Sequence, residues 1–378
     1  MRVWKAVGLL AGGMLALQAH ADVWQGEVGG APVVMEWSVN SVNDDGTVDG
    51  RYFYRKYHSD IALTGTRDKQ GALRLGENLG YDESRVDLVL RPEGNGWVGE
   101  WRGPKAKRAQ PVKLSLLAKS KRSGYGAEEG ADGLSAYNRA RVAGLRLKPA
   151  GSQAFQGYRL AWWVEPVSKI RWFRLESGYP ADVMARLNRI LEKRQWHEVV
   201  DSFECEAGAR GTNLGNYEQK VIPRLLTPGV LSMSIETEVF CGGAHPDFGD
   251  APLNLEVASG RVLQLEDVLW LGRGNPQGAR DDNGQLRDDQ YERKVLQPWL
   301  ASTFGRLYPR EMNNEDGGDC NYRDPEVWNP SNWYLTPKGV QVGAFFPRAE
   351  KACDNPGWSL LPWALVRKHP GTLTSRLP

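Results

Sequence analysis

Residues 85–102 read RVDLVLRPEGNGWVGEWR. Val86, Leu88 and Leu90 alternate with Asp87 and Arg91, the period-two pattern of a strand with one buried face. The EGNG at 93–96 is a turn signal, and residues 96–102 resume strand character beyond it. The same unit recurs on both sides. Candidate strands cover 24–28, 32–39, 47–54, 59–66, 71–77, 85–91, 96–102 and 110–117, separated by further turn signals at Gly29-Gly30, 43–46 (NDDG) and 69–71 (KQG). Eight short consecutive strands with tight links predict a small antiparallel up-and-down β-barrel over residues 22–118, because closing the meander removes both exposed edges.

The pattern stops at residues 119–135. KSKRSG followed by GAEEG has no apolar periodicity and reads as a linker. Beyond it, 136–372 is expected to form an α+β domain, making the chain a β-rich two-domain protein. Residues 142–147 and 158–164 read as strands. Pro180 suits a first helical turn, and Val183, Leu187, Ile190 and Leu191 follow at helical spacing. Residues 218–226 and 230–240 flank Thr227-Pro228-Gly229 as a strand pair. Residues 288–307 read as a helix that Pro298 kinks or divides. The last hairpin is expected around Thr336-Pro337-Lys338-Gly339, between strands at 332–335 and 340–346.

The N-terminus addresses the compartment. Arg2 and Lys5 precede an apolar run over 6–17, and Ala19-His20-Ala21 is a small-x-small cleavage site, so residues 1–21 read as a secretory signal peptide with periplasmic delivery. The apolar run is shorter than the ~20 residues a spanning helix needs, and no later run approaches that length, so no membrane span is expected after cleavage. The whole chain holds 48 Lys+Arg and 46 Asp+Glu, and removing Arg2 and Lys5 leaves the charges balanced. A balanced chain has no general attraction for nucleic acid, which is not an expected partner.

Cys205, Cys241, Cys320 and Cys353 all fall in the second domain. An even number of cysteines in an exported chain points to two disulfides. Of the three connectivities, Cys205–Cys241 and Cys320–Cys353 are favoured, since the first pair sits beside the 230–240 strand and the second brackets the last hairpin. No spacing is CxxC, HExxH or HxH, and no metal or cofactor is expected. There is no GxSxG, SxxK or phosphate loop. Carboxylate pairs such as Glu236 with Glu238 read as solvated positions.

Three stretches carry a family resemblance. Residues 241–247 are CGGAHPD, 253–260 are LNLEVASG and 332–339 are NWYLTPKG. Together they resemble the extracytoplasmic module of the RsiV-type anti-sigma factors, over about residues 175–370. Members of that group are implicated in binding lysozyme, and the module also occurs beside enzymatic domains of cell-wall proteins, deacetylases among them. The resemblance implies a binding protein for a cell-envelope ligand, a lysozyme-like hydrolase or peptidoglycan. No sigma-binding segment or retained membrane helix accompanies the module here, so signalling by regulated proteolysis is not expected.

The binding residues expected from these stretches are Gly242, Gly243, His245 and Asp247, joined by Trp328 and Trp333 as exposed indoles in a polar, proline-bearing stretch. Gly242 and Gly243 suit a turn at positive φ. His245 is expected to brace that turn. The alternative is an envelope hydrolase in which Asp247 orients the His245 imidazole.

Overall fold

A computed structural model describes residues 22–39, 46–78, 87–103, 106–118, 133–209, 216–274, 276, 289–313, 320–328, 332–373, and 377. The expected signal segment 1–21 and residues 119–132 of the expected linker lie outside the described residues. The chain divides into two compact units, Met1–Leu145 with Val200–Gly215, and Arg146–Val199 with Asn216–Pro378.

In the first unit, β1 (Asp22–Val28), β2 (Ala31–Val39), β3 (Thr47–Tyr54), β4 (Ile61–Arg67), β5 (Leu73–Asn78), β6 (Asp87–Glu93), β7 (Gly96–Arg102) and β8 (Gln110–Ala118) pair in sequence order as a closed antiparallel barrel. Closure is the β1–β8 ladder, with Gly26 opposite Leu114 and Val28 opposite Val112. Alternate side chains point inward, so Met35, Tyr52, Leu63, Leu75, Leu90 and Leu114 join one buried cluster. Each such burial contributes about 1.5–3 kcal/mol relative to exposure. Trp37 packs against Trp24, stacked at 5.4 Å, and against Trp97, edge-on at 5.3 Å, and Trp24 and Trp97 themselves meet at 6.0 Å.

One stretch of the barrel wall is covered by α1 (Ala136–Val142), whose Ala136 and Tyr137 pack with Val23, Val34 and Phe53. The helix begins where the Ser135 hydroxyl accepts from the Asn138 N–H, and it stops before Gly144, which stands at φ 95°. This corrects the expected strand at 142–147, where helix, turn and coil precede the first strand of the second unit.

A buried charge network holds α1 to the wall. Arg141, with no exposed surface, donates to Asp60 Oδ2 at 2.7 Å and to the His58 carbonyl at 3.2 Å. Arg51 donates to Glu36 at 2.7 Å, to Asp60 at 3.1 Å and to Glu204 at 2.8 Å. Tyr137 donates its hydroxyl to Asp60 Oδ1 at 2.7 Å. Burial pushes the Glu36 carboxyl up and Arg51 works against it. Buried charges of this kind are tolerated only while paired.

In the second unit, β9 (Lys148–Phe155), β10 (Tyr158–Val164) and β11 (Arg171–Ser177) form a sheet in the order β11-β10-β9. The long helix α2 (Ala181–Gly208), which belongs to this unit as far as Val199, buries Leu187 and Leu191, as their spacing predicts. Its Asn188 side chain accepts from the Leu175 N–H at 2.7 Å and donates to the Leu175 carbonyl at 2.9 Å, filling hydrogen bonds that edge strand β11 leaves open.

The central sheet is built around β13 (Val230–Phe240). On one side it pairs with β12 (Asn216–Leu226), and on the other with β14 (Asp247–Asp250) and β15 (Leu253–Glu256). The expected helix at 288–307 is α3 (Asp289–Tyr291), a π-helical turn (Glu292–Leu296) and α4 (Gln297–Leu307). Pro298 does not divide it. The Gln297 N–H reaches the Glu292 carbonyl, and this widened turn accommodates a residue that has no N–H to give. The short α5 (Pro309–Met312) follows. The last hairpin, β16 (Trp333–Thr336) with β17 (Gly339–Val342), gains a third strand, β18 (Leu360–Pro362), before α6 (Trp363–Val366).

Asp60 receives Arg51, Arg141 and Tyr137 at once, so Asp60→Ala should destabilise the first unit by about 3 kcal/mol, because the buried Arg141 keeps only the His58 carbonyl and Glu204 at 3.6 Å. Urea unfolding of the purified protein reads this directly. A loss below about 1 kcal/mol would show that the network does not hold α1 in place.

Candidate functional site

The chemistry of the second unit gathers in a cleft of about 540 Å³ between β13–β14 and the hairpin of β16 and β17. Its floor depends on an irregularity in β12. Pro223 pairs with Met233 and Leu225 with Ser232, so the register slips and Arg224 is left opposite no residue. Proline is tolerated there because β12 is an edge strand, and a bulge re-aims the side chain it carries. Arg224 donates to Ser234 Oγ at 2.8 Å and to Glu236 Oε1 at 3.1 Å, and its guanidinium lies 4.6 Å from the Tyr334 ring centre.

Asp250 faces Glu236 across the β13–β14 ladder, and its Oδ1 accepts from the Ile235 N–H at 2.9 Å. Burial pushes the Asp250 carboxyl up to about 6; the Ile235 N–H and Arg224 pull it down, and the neighbouring Glu236 pushes it further up. Glu238, next on the same face of β13, is exposed and lies opposite Phe248 of β14 and Glu218 of β12. Phe248 lines the cleft and is 46% exposed.

The CGGAHPD turn leads into this cleft. Gly242 and Gly243 stand at φ 91° and 89°, the left-handed region that glycine enters without strain. His245 is exposed. The Arg348 guanidinium donates to the backbone carbonyls of His245 at 3.3 Å and Pro246 at 3.2 Å. Asp247 pairs with Lys351 at 3.2 Å and accepts from its neighbour Phe248 N–H at 2.9 Å. Its slight burial is outweighed by Lys351, that N–H and Arg348, which hold its carboxyl below the usual range. No hydrogen bond joins Asp247 to the His245 imidazole among the described residues.

Lys351 also reaches Asp354 at 3.6 Å and lies 5.4 Å from the Phe248 ring centre and 5.8 Å from that of Phe345, which is 53% exposed. The turn is thus fastened to residues 345–354. That stretch is itself anchored by Cys353, which is bonded to Cys320 as expected. Cys205 and Cys241 are disulfide-bonded as well, and no cysteine is free among the described residues. For a separation of 33 residues the loop-closure contribution is about 4 kcal/mol.

Trp328 and Trp333 are not exposed, which corrects their assignment as surface indoles. Trp328 is wholly buried, donates its indole N–H to the Tyr322 carbonyl at 2.8 Å and packs 4.5 Å from Phe304 of α4. Trp333 is 6% exposed, and its carbonyl accepts from Asn254. Polar neighbours in sequence do not decide burial here, because the short helical turn Pro325–Val327 points the indole of Trp328 into the core. Both belong to one apolar cluster with Val230, Leu335 and Val340.

Neither protein-family models nor curated proteins match this chain. The cleft must therefore be read from its own chemistry. Among the described residues no three His, Cys, Asp or Glu side chains converge to hold a metal ion. Arg224 and Asp250 carry no motif, and the local signal for them is Pro223 inside a strand-like run, which marks an edge or a bulge.

Asp250 makes a stability prediction. Its carboxyl binds a proton more tightly in the folded protein than at its ordinary 3.8. It therefore adds stability below pH 3.8, and that contribution is lost as pH rises through 6. Asp250→Asn should be more stable than the parent at pH 7.5 by about 1–2 kcal/mol after allowing for partial solvation, with the difference gone by about pH 4. Thermal unfolding at the two pH values checks it. Equal stability throughout would contradict the burial of this charge.

Proposed function

We propose that this chain is an exported binding protein of the cell envelope, and that its second unit holds a lysozyme-like hydrolase or peptidoglycan in the β13–β14 cleft. The observation that carries the proposal is the mouth of that cleft. Phe248 stands exposed opposite Glu238, on a backbone pinned by Lys351 and Arg348. Exposed aromatic side chains on a fixed frame suit recognition, since little side-chain freedom is lost when they are covered. Asp250 supports the same reading. A carboxyl kept ionisable in a half-buried position costs stability, which is the usual trade of a residue retained for function.

The compartment belongs to the proposal. Two disulfides fit an oxidising environment, and no helix among the described residues is long and apolar enough to cross a membrane. The segment 1–21 supplies the export signal, with the periplasm as the destination. The likeness of CGGAHPD, LNLEVASG and NWYLTPKG to the RsiV-type module supports the ligand class, and an α+β second domain is the fold that goes with it. The binding reading is favoured over the His245–Asp247 hydrolase because the Asp247 carboxylate is taken up by Lys351 and the Phe248 N–H.

Immobilised mature chain, offered hen lysozyme and, separately, insoluble peptidoglycan, should retain one of them. Phe248→Ala should weaken retention at least about tenfold, while His245→Gln leaves it unchanged. No retention of either ligand would defeat the proposal. So would release of soluble wall fragments that disappears in His245→Gln.

A further inference from the structure

The charges of the cleft do not balance. On the sheet face that forms its floor, Glu236 lies opposite Asp250, and Glu238 opposite Glu218. Like charges directly across a ladder are destabilising, yet two such pairs sit in adjacent positions of β13. The cations nearby are already engaged. Arg224 and Lys220 both pair with Glu236, and Lys351 with Asp247 and Asp354. The Glu238 side chain has no hydrogen-bond or ion-pair partner among the described residues, and the Asp250 carboxylate has only the Ile235 N–H. Between these two carboxylates and the exposed Phe248 the cleft is open.

We infer that the cleft receives a cationic side chain, a lysine or arginine presented by a protein partner, seated between Glu238 and Asp250 beside Phe248. The inference rests on the binding reading above and names the chemistry of its ligand. An ammonium or guanidinium there completes both carboxylates and places its aliphatic stem against an aromatic ring, the combination that favours a cation over a neutral group. An anionic ligand would meet uncompensated negative charge.

Ligand binding is then coupled to protonation of Asp250. Around it stand Glu236 and Glu238 on β13, Arg224 on β12, Tyr334 on β16 and Asp354 beyond β17, with Lys220 of β12 paired to Glu236 behind them. Of these, only the basic residues oppose its protonation, and both are held by Glu236. An arriving cation favours the ionised carboxylate. Affinity therefore rises with pH through the range in which Asp250 loses its proton, and falls by about tenfold between pH 7 and pH 5 if the bound cation restores an ordinary carboxyl.

The test is an amide NMR titration of the full mature chain with three probes: blocked tetralysine, blocked tetraglutamate and the tetramer of N-acetylglucosamine. Tetralysine should shift the amides of Glu238, Phe248 and Gly249, bind about tenfold more weakly at pH 5 than at pH 7, and bind more weakly to Glu238→Gln. Asp250→Asn keeps the Ile235 hydrogen bond and His245, and should abolish the pH dependence. Equal shifts from tetraglutamate or the sugar tetramer would overturn the inference, as would a pH dependence that survives in Asp250→Asn. If lysozyme or peptidoglycan is retained through the cleft while tetralysine ignores it, the binding reading stands and this inference falls. If tetralysine behaves as expected and neither envelope ligand is retained, the cation site stands and the choice of envelope ligand falls.

Discussion

The pairing of β13 with three strands is the constraint on which the second unit depends. Its first half, Val230 to Ile235, is buried at every position, and β15 covers that half. From Glu236 onward the same strand is partly exposed and pairs with β14 instead. One ladder thus carries both the core and the floor of the cleft. A one-residue slip would send Glu236 and Glu238 to the opposite face and would bury charge where Leu231 and Met233 now pack. The bulge at Pro223 is compatible with this register because the extra residue lies on β12, and it leaves Arg224 free to turn toward Glu236.

The CGGAHPD turn acts through its backbone more than through its side chains. Glycines at positive φ reverse the chain, Arg348 holds two carbonyls of the turn, and Lys351 holds Asp247. The result is a fixed approach to β14, which sets Phe248 opposite Glu238. Ion pairs this exposed contribute little to stability on their own. Their importance is positional, because the same lysine joins Asp247, Asp354 and two exposed phenylalanines across about a hundred residues of sequence.

Much of the barrel was legible because its information is local. Period-two alternation and glycine turn signals mark each of its strands, and the eight observed strands overlap the eight expected ones, from Asp22–Val28 to Gln110–Ala118. The α1 helix carries little local signal beyond the Ser135 cap and the Gly144 stop, and its Arg141 is explained only by Asp60, 81 residues away. The burial of Trp328 and Trp333 is hidden from the local sequence for a related reason. Their neighbours in sequence are polar, but their burial comes from Phe304, Val230 and Val340. At the cleft, the turn glycines were legible from residue type. Arg224, Tyr334 and Asp250 were not, since they meet only when β12, β14 and β16 are brought together.

The central claim is that recognition takes place in the β13–β14 cleft. Hydrogen exchange of the purified protein, with and without whichever proposed envelope ligand it retains, tests this most directly. The account predicts slowed exchange over 236–250 and at 332–334, with the barrel strands unchanged. Protection confined to the barrel, with 236–250 exchanging as in the free protein, would contradict it.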